Sequence, residues 1–344
     1  MPEKMKVLIL TAEDSQTVFR MDSERLEAAL SRHPLIRELA EFEICRTSTS
    51  FENTPGWNEN DYEMFYRAVA DKDAMIGYMF PLETFREKAP HVKYVHIIGA
   101  GVEHLFPLTW LPEHTKLTNS RGAHAPKTCE YAMMAMLMLG NNIPRLVTAQ
   151  HEHRWDGHFL TVVEGKTALV VGCGKQGSAV ALAAKRLGIK AIGVDPYVPS
   201  KDGFEKIVHP DKLLEVLPEA DYVFLTMPAT KDSYHFYSTA QFAAMKPGAG
   251  FVNICRGKVL DADALLAALE SGQISGAVLD VFEEEPLPSD SPLWSAKNIV
   301  LTPHMGCDDE VNYIPRCIDI FFRNLARLPR GEELENQLDP ELGF

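Results

Sequence analysis

The chain has 344 residues, a length that suggests two domains, and its 46% hydrophobic and 24% charged residues are ordinary globular values. A formal net charge of −14 argues against nucleic acid or an anionic membrane as a partner, and an anionic substrate would need a locally positive pocket. The six cysteines show no metal-binding spacing, so we predict free thiols, no metal and a cytoplasmic location. The longest apolar stretch, YAMMAMLMLG, is far shorter than a membrane span.

Short apolar runs that are typical of strands alternate with helical patterns along the whole chain. The strand patterns in the first half are at residues 6–10, 42–46, 74–78 and 93–98. Those in the second half are at residues 167–172, 190–195, 221–226, 250–255, 275–280 and 298–303. Helical patterns occur, among other places, at residues 22–32, 126–151, 175–187, 261–271 and 308–328. This alternation occurs twice and predicts two parallel sheets, each covered by helices on both faces.

The strand pattern at 167–172 runs directly into a glycine loop, Gly172-Cys173-Gly174-Lys175-Gln176-Gly177, and a helical pattern follows at once. In a G-x-G-x-x-G loop the first glycine permits a tight turn, the second lets backbone approach a pyrophosphate, and the third lets the helix pack on the strand. The loop alone is a weak signal, but the next strand ends in Asp195, whose carboxylate would bind the adenosine ribose. We therefore predict NAD as cofactor. NADP is less favoured because Asp195 would repel a 2′-phosphate, although Lys201 leaves some NADP binding open.

Chemically active side chains follow three later strands of the same predicted sheet. Arg256 follows the strand at 250–255, the acidic run Glu283-Glu284-Glu285 follows 275–280, and His304 follows 298–303. An arginine can hold a carboxylate and polarise a neighbouring carbonyl, and a histidine can give a proton to that carbonyl as hydride arrives. A carboxylate beside the histidine raises its pKa. Each residue alone is more often structural, and the acidic run could simply be solvated, but their conjunction at the ligand-binding edge favours catalysis.

The motifs of the second half, taken in order, resemble the D-isomer-specific 2-hydroxyacid dehydrogenase family. They are the glycine loop, TMPATKDSYHF, N-x-x-R-G, LDVFxxEPLP, SPLW and TPHxG. The first half resembles the family more loosely, in VKYVHIIGAGVEHL and CEYAMMAML. The resemblance implies two doubly wound α/β domains with a cleft between them: a discontinuous flavodoxin-like substrate domain, 1–120 plus 310–344, and a Rossmann NAD-binding domain, 121–309. It also implies a homodimer, formed through the helix at 126–151.

The resemblance also implies roles for individual residues. Arg256 would bind and polarise the substrate, Glu285, which directly precedes the proline of EPLP, would pair with the histidine, and His304 would be the acid/base. The residues expected to contact the cofactor are Gly172, Gly174, Lys175, Gln176, Gly177, Asp195, Pro228, Ile254, Cys255, Arg256, Asp280 and Gly306. Among these, Asp280 is expected to meet the nicotinamide carboxamide, and the backbone of residues 175–176 to meet the pyrophosphate.

A glycine turn in the first half, Gly99-Ala100-Gly101, is expected to bind the substrate carboxylate together with Val102, which opens a short helix. Backbone N–H groups at such a turn and helix start attract an anion. The resemblance implies that this anion also meets Arg256 and His304. A plain glycine turn is the alternative.

Other residues could form the wall that selects the substrate side chain, although packing in a core or lid is the alternative for each. The candidates are Trp57, Tyr78, Met79, Phe80 and Trp294. Just beyond His304, the residues Cys307, Asp308 and Asp309 could add polar character near the pocket or could start the last helix.

The function that we predict is NAD(H)-dependent interconversion of a 2-oxo acid and a D-2-hydroxy acid. Formate oxidation on the same scaffold is less favoured, because formate-oxidising relatives carry glutamine at the position of Glu285, while phosphite oxidation stays open. A nucleotide-sensing corepressor scaffold is a third alternative. It predicts dispensable chemistry, whereas Arg256, Glu285 and His304 are all present. Neither the substrate nor the physiological direction follows from the sequence.

Overall fold

The computed structural model describes residues 3–13, 16–48 and 56–340. The chain divides into two compact units, the first made of Met1–Ala123 and Asp309–Phe344 and the second of His124–Asp308. Nowhere in the described ranges is there a helix with the length and apolar character needed to cross a membrane.

A five-stranded parallel sheet forms the centre of the first unit. Its strands are β1 (Met5–Ala12), β2 (Ala40–Thr47), β3 (Ala74–Gly77), β4 (Tyr94–Ile97) and β5 (Lys116–Asn119). They are arranged in the order β2-β1-β3-β4-β5, the flavodoxin-like order, in which the direction of winding changes between β1 and β3. The helices before residue 124 are α1 (Ser23–Arg32), α2 (Ile36–Leu39), α3 (Glu59–Val69) and α4 (Leu82–Lys88).

Two helices of this unit, α1 and α3, begin at residues whose side chains cap them. The Asp22 side chain accepts a hydrogen bond from the Arg25 N–H at the start of α1. At the start of α3, Asn58 and Asp61 form a capping box. Satisfying these otherwise unpaired N–H groups fixes where each helix begins.

A seven-stranded parallel sheet forms the centre of the second unit. Its strands are β6 (Thr167–Val171), β7 (Lys190–Val194), β8 (Lys206–Val208), β9 (Tyr222–Leu225), β10 (Ala249–Asn253), β11 (Ile274–Leu279) and β12 (Ile299–Leu301). Its helices are α5 (Ala125–Gly140), α6 (Ile143–His151), α7 (Lys175–Arg186), α8 (Leu213–Val216), α9 (Thr239–Ala244) and α10 (Ala262–Glu270). The strand order is β12-β11-β10-β9-β6-β7-β8, so the winding reverses between β6 and β9, where such sheets bind ligands.

The final helix, α11 (Tyr313–Arg327), belongs to the first unit. One of its faces is apolar, and Tyr313, Cys317 and Phe321 on that face are almost completely buried in the core of this unit. The hydroxyl of Tyr313 also donates a hydrogen bond to the carbonyl of Ile98 just after β4. The return of the chain to its first unit therefore rests on the helical spacing of these apolar residues.

The predicted fold class, two parallel-sheet α/β domains, is confirmed, but two predicted helices are wrong in extent. The pattern at 126–151 is two helices, α5 and α6, separated at Asn142, which is left-handed with φ 50°. Pro144 in the first turn of α6 has no backbone N–H, so it cannot continue the helical hydrogen bonds of α5. The pattern at 308–328 becomes helical only at Tyr313. The pattern also misses β5 and β8, which are only four and three residues long.

Candidate active site

The imidazole of His304, just after β12, contacts a carboxylate from the loop that follows β11. Nδ1 of His304 lies 2.6 Å from Oε2 of Glu285, and the other carboxylate oxygen accepts a hydrogen bond from the Phe282 N–H at 2.8 Å. An ionised carboxylate can only accept, so Nδ1 carries a proton in this pair. Nε2 is therefore the nitrogen that can exchange a proton with a substrate.

The contact shifts the pKa values of both partners in opposite directions. The hydrogen bond that His304 donates to Glu285 is the main cause that raises the pKa of His304, against a lowering by burial and by the charge of Arg256. Burial by itself would raise the pKa of Glu285, but hydrogen bonds from His304 and the Phe282 N–H outweigh it and leave the pKa below its usual value. The arrangement therefore favours the imidazolium form of His304 beside the carboxylate form of Glu285.

Asp280, at the end of β11, holds the loop that carries the histidine. Its side chain is buried, and Oδ1 accepts hydrogen bonds from the Thr302 hydroxyl at 2.6 Å and from the N–H groups of Met305 and Gly306 at 3.1 and 2.9 Å. Its backbone carbonyl accepts the His304 N–H at 2.8 Å. These bonds hold His304 in a left-handed conformation with φ 49°, which is costly for a residue other than glycine. Contact of Asp280 with a carboxamide stays a prediction.

Arg256 follows β10, the strand next to β11. Its Nη1 donates a hydrogen bond to the carbonyl of Cys255 at 2.7 Å, and its own carbonyl accepts one from Asn253 at 3.2 Å. The positive charge of Arg256 lowers the pKa values of both Glu285 and His304, so the three side chains are electrostatically coupled. The structure thus brings the three predicted catalytic residues to the carboxyl edge of three neighbouring strands.

The glycine loop after β6 fits a dinucleotide. Gly172 has φ 98°, and a Cβ there would lie 2.7 Å from the backbone nitrogen of Met227. A Cβ on Gly177 would lie 2.0 Å from the carbonyl oxygen of Gly172, so α7 can approach β6 only because this residue is glycine. At Gly174, by contrast, a Cβ would meet no atom within 4 Å. The second glycine therefore leaves open space at the start of α7, where a pyrophosphate would approach the helix N-terminus.

The remaining predicted cofactor residues lie around this loop but are engaged in different ways. Asp195 follows β7, and its carboxylate accepts the N–H of Cys173 at 2.8 Å. Gln176 uses its side chain to donate to the carbonyl of Ile254 at 2.8 Å, so it also joins α7 to the segment after β10. Ile254 and Cys255 are buried, and their backbone carbonyls already accept hydrogen bonds from Gln176 and Arg256, so their contact with a cofactor stays a prediction. Pro228 lies three residues beyond β9, at the same edge of the sheet.

The glycine turn of the first unit lacks part of its expected anion site. The helix that follows Val102 is a single 3-10 turn, Glu103–Leu105, which is too short for an appreciable dipole. The carbonyl of Ala100 accepts a hydrogen bond from the Asn119 amide at 2.8 Å, and a Cβ on Gly99 would lie 2.4 Å from the ring of Tyr78. The turn is thus built for close packing, and its binding of a carboxylate stays a prediction that rests on backbone N–H groups alone.

The predicted substrate wall divides into two groups. Trp57, Tyr78 and Met79 line a cavity of about 40 Å³ at the carboxyl ends of β1, β2 and β3. Phe80 does not belong with them, because it is only 4% exposed and packs against other aromatic rings in the core of the first unit. Trp294, in the second unit, is exposed and donates its indole N–H to the carbonyl of Pro288, so it closes the SPLW loop.

The three residues beyond His304 have structural contacts. The Cys307 thiol, whose pKa burial raises to about 11, lies 3.7 Å from the side-chain nitrogen of Gln176. Asp308 pairs with His124 at 3.3 Å. Asp309 accepts the Asn312 N–H and pairs with Arg316, so it orders the turn before α11 without being the N-cap itself.

A second histidine–carboxylate contact, which the sequence did not predict, lies near the site. Glu283, expected in a solvated charge run, accepts hydrogen bonds from the Tyr234 hydroxyl and from His235, both at 3.0 Å. Glu284 remains exposed, as a solvated residue would. Only TMPATKDSYHF as a motif could have pointed to this contact, because nothing in the spacing links the two segments.

A cavity of about 570 Å³ lies at the opposite, amino edge of the same sheet. It is lined by residues at the strand starts, including Lys166, Asp221, Ile274 and Asn298. Several of its cations are already paired, as Lys246 is with Asp221 at 2.7 Å. This cavity is therefore separate from the edge that carries His304. In the described part of the chain, no cluster of three His, Cys, Asp or Glu side chains forms a possible metal site.

The chain is similar to known proteins over both of its units. The family model for the NAD binding domain of D-isomer specific 2-hydroxyacid dehydrogenase matches residues 133–306. The chain is 32% identical over 288 residues to glyoxylate reductase of Korarchaeum cryptofilum, covering 80% of this chain and 85% of that protein. It is 34% identical over 256 residues to D-3-phosphoglycerate dehydrogenase of Methanocaldococcus jannaschii, covering 73% of this chain. It spans only about half (48%) of the length of that protein.

A solved structure extends the similarity to the first unit. The D-isomer specific 2-hydroxyacid dehydrogenase from Xanthobacter autotrophicus Py2, in complex with NADPH and MES, is similar with a TM-score of 0.80 at 27% identity. The similarity covers 99% of this chain and 100% of that one. The chain belongs to the D-isomer specific 2-hydroxyacid dehydrogenase family.

Proposed function

We propose that this protein reduces a 2-oxo acid to a D-2-hydroxy acid with NADH, and catalyses the reverse reaction with NAD. The observation that carries the proposal is the contact of His304 with Glu285 at the sheet edge that also bears the glycine loop and Arg256. The similarity to a glyoxylate reductase over 85% of that protein supports a small 2-oxo acid as substrate.

Each of the three side chains has a role that follows from its chemistry. Arg256 holds the substrate carboxylate and polarises the neighbouring carbonyl, since a guanidinium presents a planar fork of donors. His304 donates the proton on Nε2 to the carbonyl oxygen and takes it back in the reverse direction. Glu285 orients the ring and stabilises its charged form. The bound cofactor supplies the hydride.

The two units divide this work. We assign cofactor binding to the second unit, which contains the glycine loop, Asp195, Asp280 and Gly306, and substrate recognition in part to the turn at 99–102 in the first. Asp195 beside the loop favours NADH over NADPH. A lower KM for NADH than for NADPH is expected, and equal or reversed values would contradict the role of Asp195.

The function is tested by following NADH oxidation with glyoxylate, hydroxypyruvate, pyruvate, phenylpyruvate and branched 2-oxo acids. We expect the protein to reduce at least one of these 2-oxo acids, and we expect every chiral product to have the D configuration. Formate and phosphite, tested with NAD in the same plate, measure the alternative dehydrogenase activities. Turnover of phosphite with no turnover of any 2-oxo acid would replace the proposed function.

We further propose a homodimer that forms through helices α5 and α6 and the segment that follows them. Trp155 and Phe159 in that segment are 98% and 105% exposed, and Leu137 and Val147 on the helices are also exposed. Such a concentration of exposed apolar side chains is typical of an interaction surface. Sedimentation velocity should give a dimer mass for the wild type and a shift toward monomer for Trp155→Ser.

We also propose a cytoplasmic location, which the free thiols of the cysteines fit.

A further inference from the structure

Two opposite charges flank a single residue of the glycine loop, Cys173. Its N–H is bound by a carboxylate oxygen of Asp195 at 2.8 Å, and its carbonyl oxygen accepts a hydrogen bond from the Lys201 ammonium, also at 2.8 Å. Lys201 lies 3.3 Å from the carbonyl oxygen of Gly174 as well. The ammonium is therefore fixed at the open glycine, where the cofactor would approach.

The carboxylate of Asp195 is not free to act on a cofactor as an isolated charge. One oxygen accepts the N–H groups of Tyr197 and Val198 at 2.9 and 3.0 Å, which fills its usual capacity of two hydrogen bonds. The other oxygen accepts the Cys173 N–H and retains one further acceptor position. Asp195 can thus receive about one ribose hydroxyl, while much of its charge stabilises the turn 195–198.

Lys201 is arranged differently. Among the described residues no carboxylate pairs with it, and its two hydrogen bonds to backbone carbonyls leave one of its three N–H donors for a ligand. The two charges act on the same place, as the Cys173 thiol shows: burial raises its pKa to about 12, the charge of Asp195 raises it and that of Lys201 lowers it. The ammonium therefore opposes the field of the carboxylate at the residue that both of them contact.

We propose that Lys201 is a cofactor-specificity residue whose ammonium binds the 2′-phosphate of NADP(H), so that the enzyme accepts NADPH in spite of Asp195. The inference rests on the proposed cofactor site and deepens it. An ammonium is a point charge that binds phosphate without a fixed geometry, so a partly exposed lysine at this position can serve. A relative of known structure was solved with NADPH, which agrees with a 2′-phosphate being tolerated on this scaffold.

The test compares binding of adenosine 5′-monophosphate and adenosine 2′,5′-bisphosphate by calorimetry, using the wild type and Lys201→Gln. Glutamine keeps a polar side chain with N–H donors but carries no charge. We expect Lys201→Gln to weaken the bisphosphate by about tenfold and the monophosphate by less than twofold. Lys185→Gln, an exposed lysine in the last turn of α7, is the control for net charge and should change neither affinity.

The outcomes separate the inference from the function on which it rests. If neither nucleotide binds the wild type, the cofactor site itself is refuted. If both bind and Lys201→Gln weakens them equally or not at all, Lys201 only holds the loop and the inference is overturned. Steady-state kinetics give a second readout, because Lys201→Gln should raise KM for NADPH by about tenfold while KM for NADH stays within twofold.

Discussion

Replacing Glu285 by Gln tests how the structure sets the protonation of His304. Gln keeps the size of the side chain and an acceptor oxygen, but removes the charge that lies 2.6 Å from Nδ1. A hydrogen bond to a charged group contributes about 1.5–3 kcal/mol. Because 48% of the His304 side chain is exposed, we take the lower end, about 1.5 kcal/mol, which corresponds to about a tenfold change in a protonation equilibrium.

The direction of the effect follows from the state of His304 that each reaction needs. Reduction needs the imidazolium, and the raised pKa keeps it populated until the pH rises through that pKa. In Glu285→Gln the imidazolium is lost at lower pH, so kcat for reduction should fall by about tenfold at pH values above the wild-type midpoint and recover toward acidic pH. Oxidation needs the neutral imidazole, so its rise with pH should also move to lower pH.

The assay is a pair of kcat–pH profiles, one for each direction, measured at saturating cofactor. Glu284→Gln is the matched control, because it makes the same change one residue away in an exposed side chain. Its profiles should coincide with those of the wild type. An unchanged midpoint in Glu285→Gln would refute the account, because Glu285 would then not control the proton of His304.

Three further predictions concern Arg256 and the glycine loop. Arg256→Lys should mainly raise the substrate KM, since lysine cannot reproduce the planar fork, and an unchanged substrate KM would argue against carboxylate binding by this residue. Gly174→Ala should leave the free energy of unfolding within about 1 kcal/mol and yet weaken NADH binding, because only the ligand needs the open space. Gly177→Ala should lower the free energy of unfolding by more than about 2 kcal/mol, because its Cβ would meet the carbonyl of Gly172. Urea titration measures the free energy of unfolding of both glycine variants, and NADH fluorescence measures their cofactor binding. Equal free energies of unfolding for Gly174→Ala and Gly177→Ala would contradict the loop geometry.

The parts of the fold that depend on local periodicity could be predicted. Buried strands such as β3 in the first sheet and β6 in the second are mostly apolar, and helix α7 follows its glycine loop directly, so both sheets could be predicted from the pattern. The strands β5 (KLTN) and β8 (KIV) could not be predicted, because they contain only one and two apolar residues. Equally short strands such as β9 (YVFL) were predicted because they are continuous apolar runs. The break between α5 and α6 was visible only as Pro144, and the left-handed Asn142 that completes it was not.

The site was predictable where each residue follows a strand of one sheet, because parallel strands bring their carboxyl ends to one edge. Arg256, Glu285 and His304 meet this condition. The supporting contacts were not predictable, because they join segments far apart in the chain through side-chain geometry alone. One example is the hydrogen bond that the Thr302 hydroxyl donates to Asp280, and another is the hydrogen bond that the Lys201 ammonium donates to the carbonyl of Cys173. In neither case does the residue type indicate which partner it contacts.

The proposed hydride transfer is tested by following deuterium from NADH that is deuterated at both C4 positions to hydroxypyruvate, in parallel for the wild type and His304→Ala. The wild type should give D-glycerate labelled at C2. His304→Ala should lose kcat by roughly 10²–10⁴-fold while its binding of NADH, measured by fluorescence, persists. An unlabelled or L-configured product, or a His304→Ala variant as active as the wild type, would contradict the account.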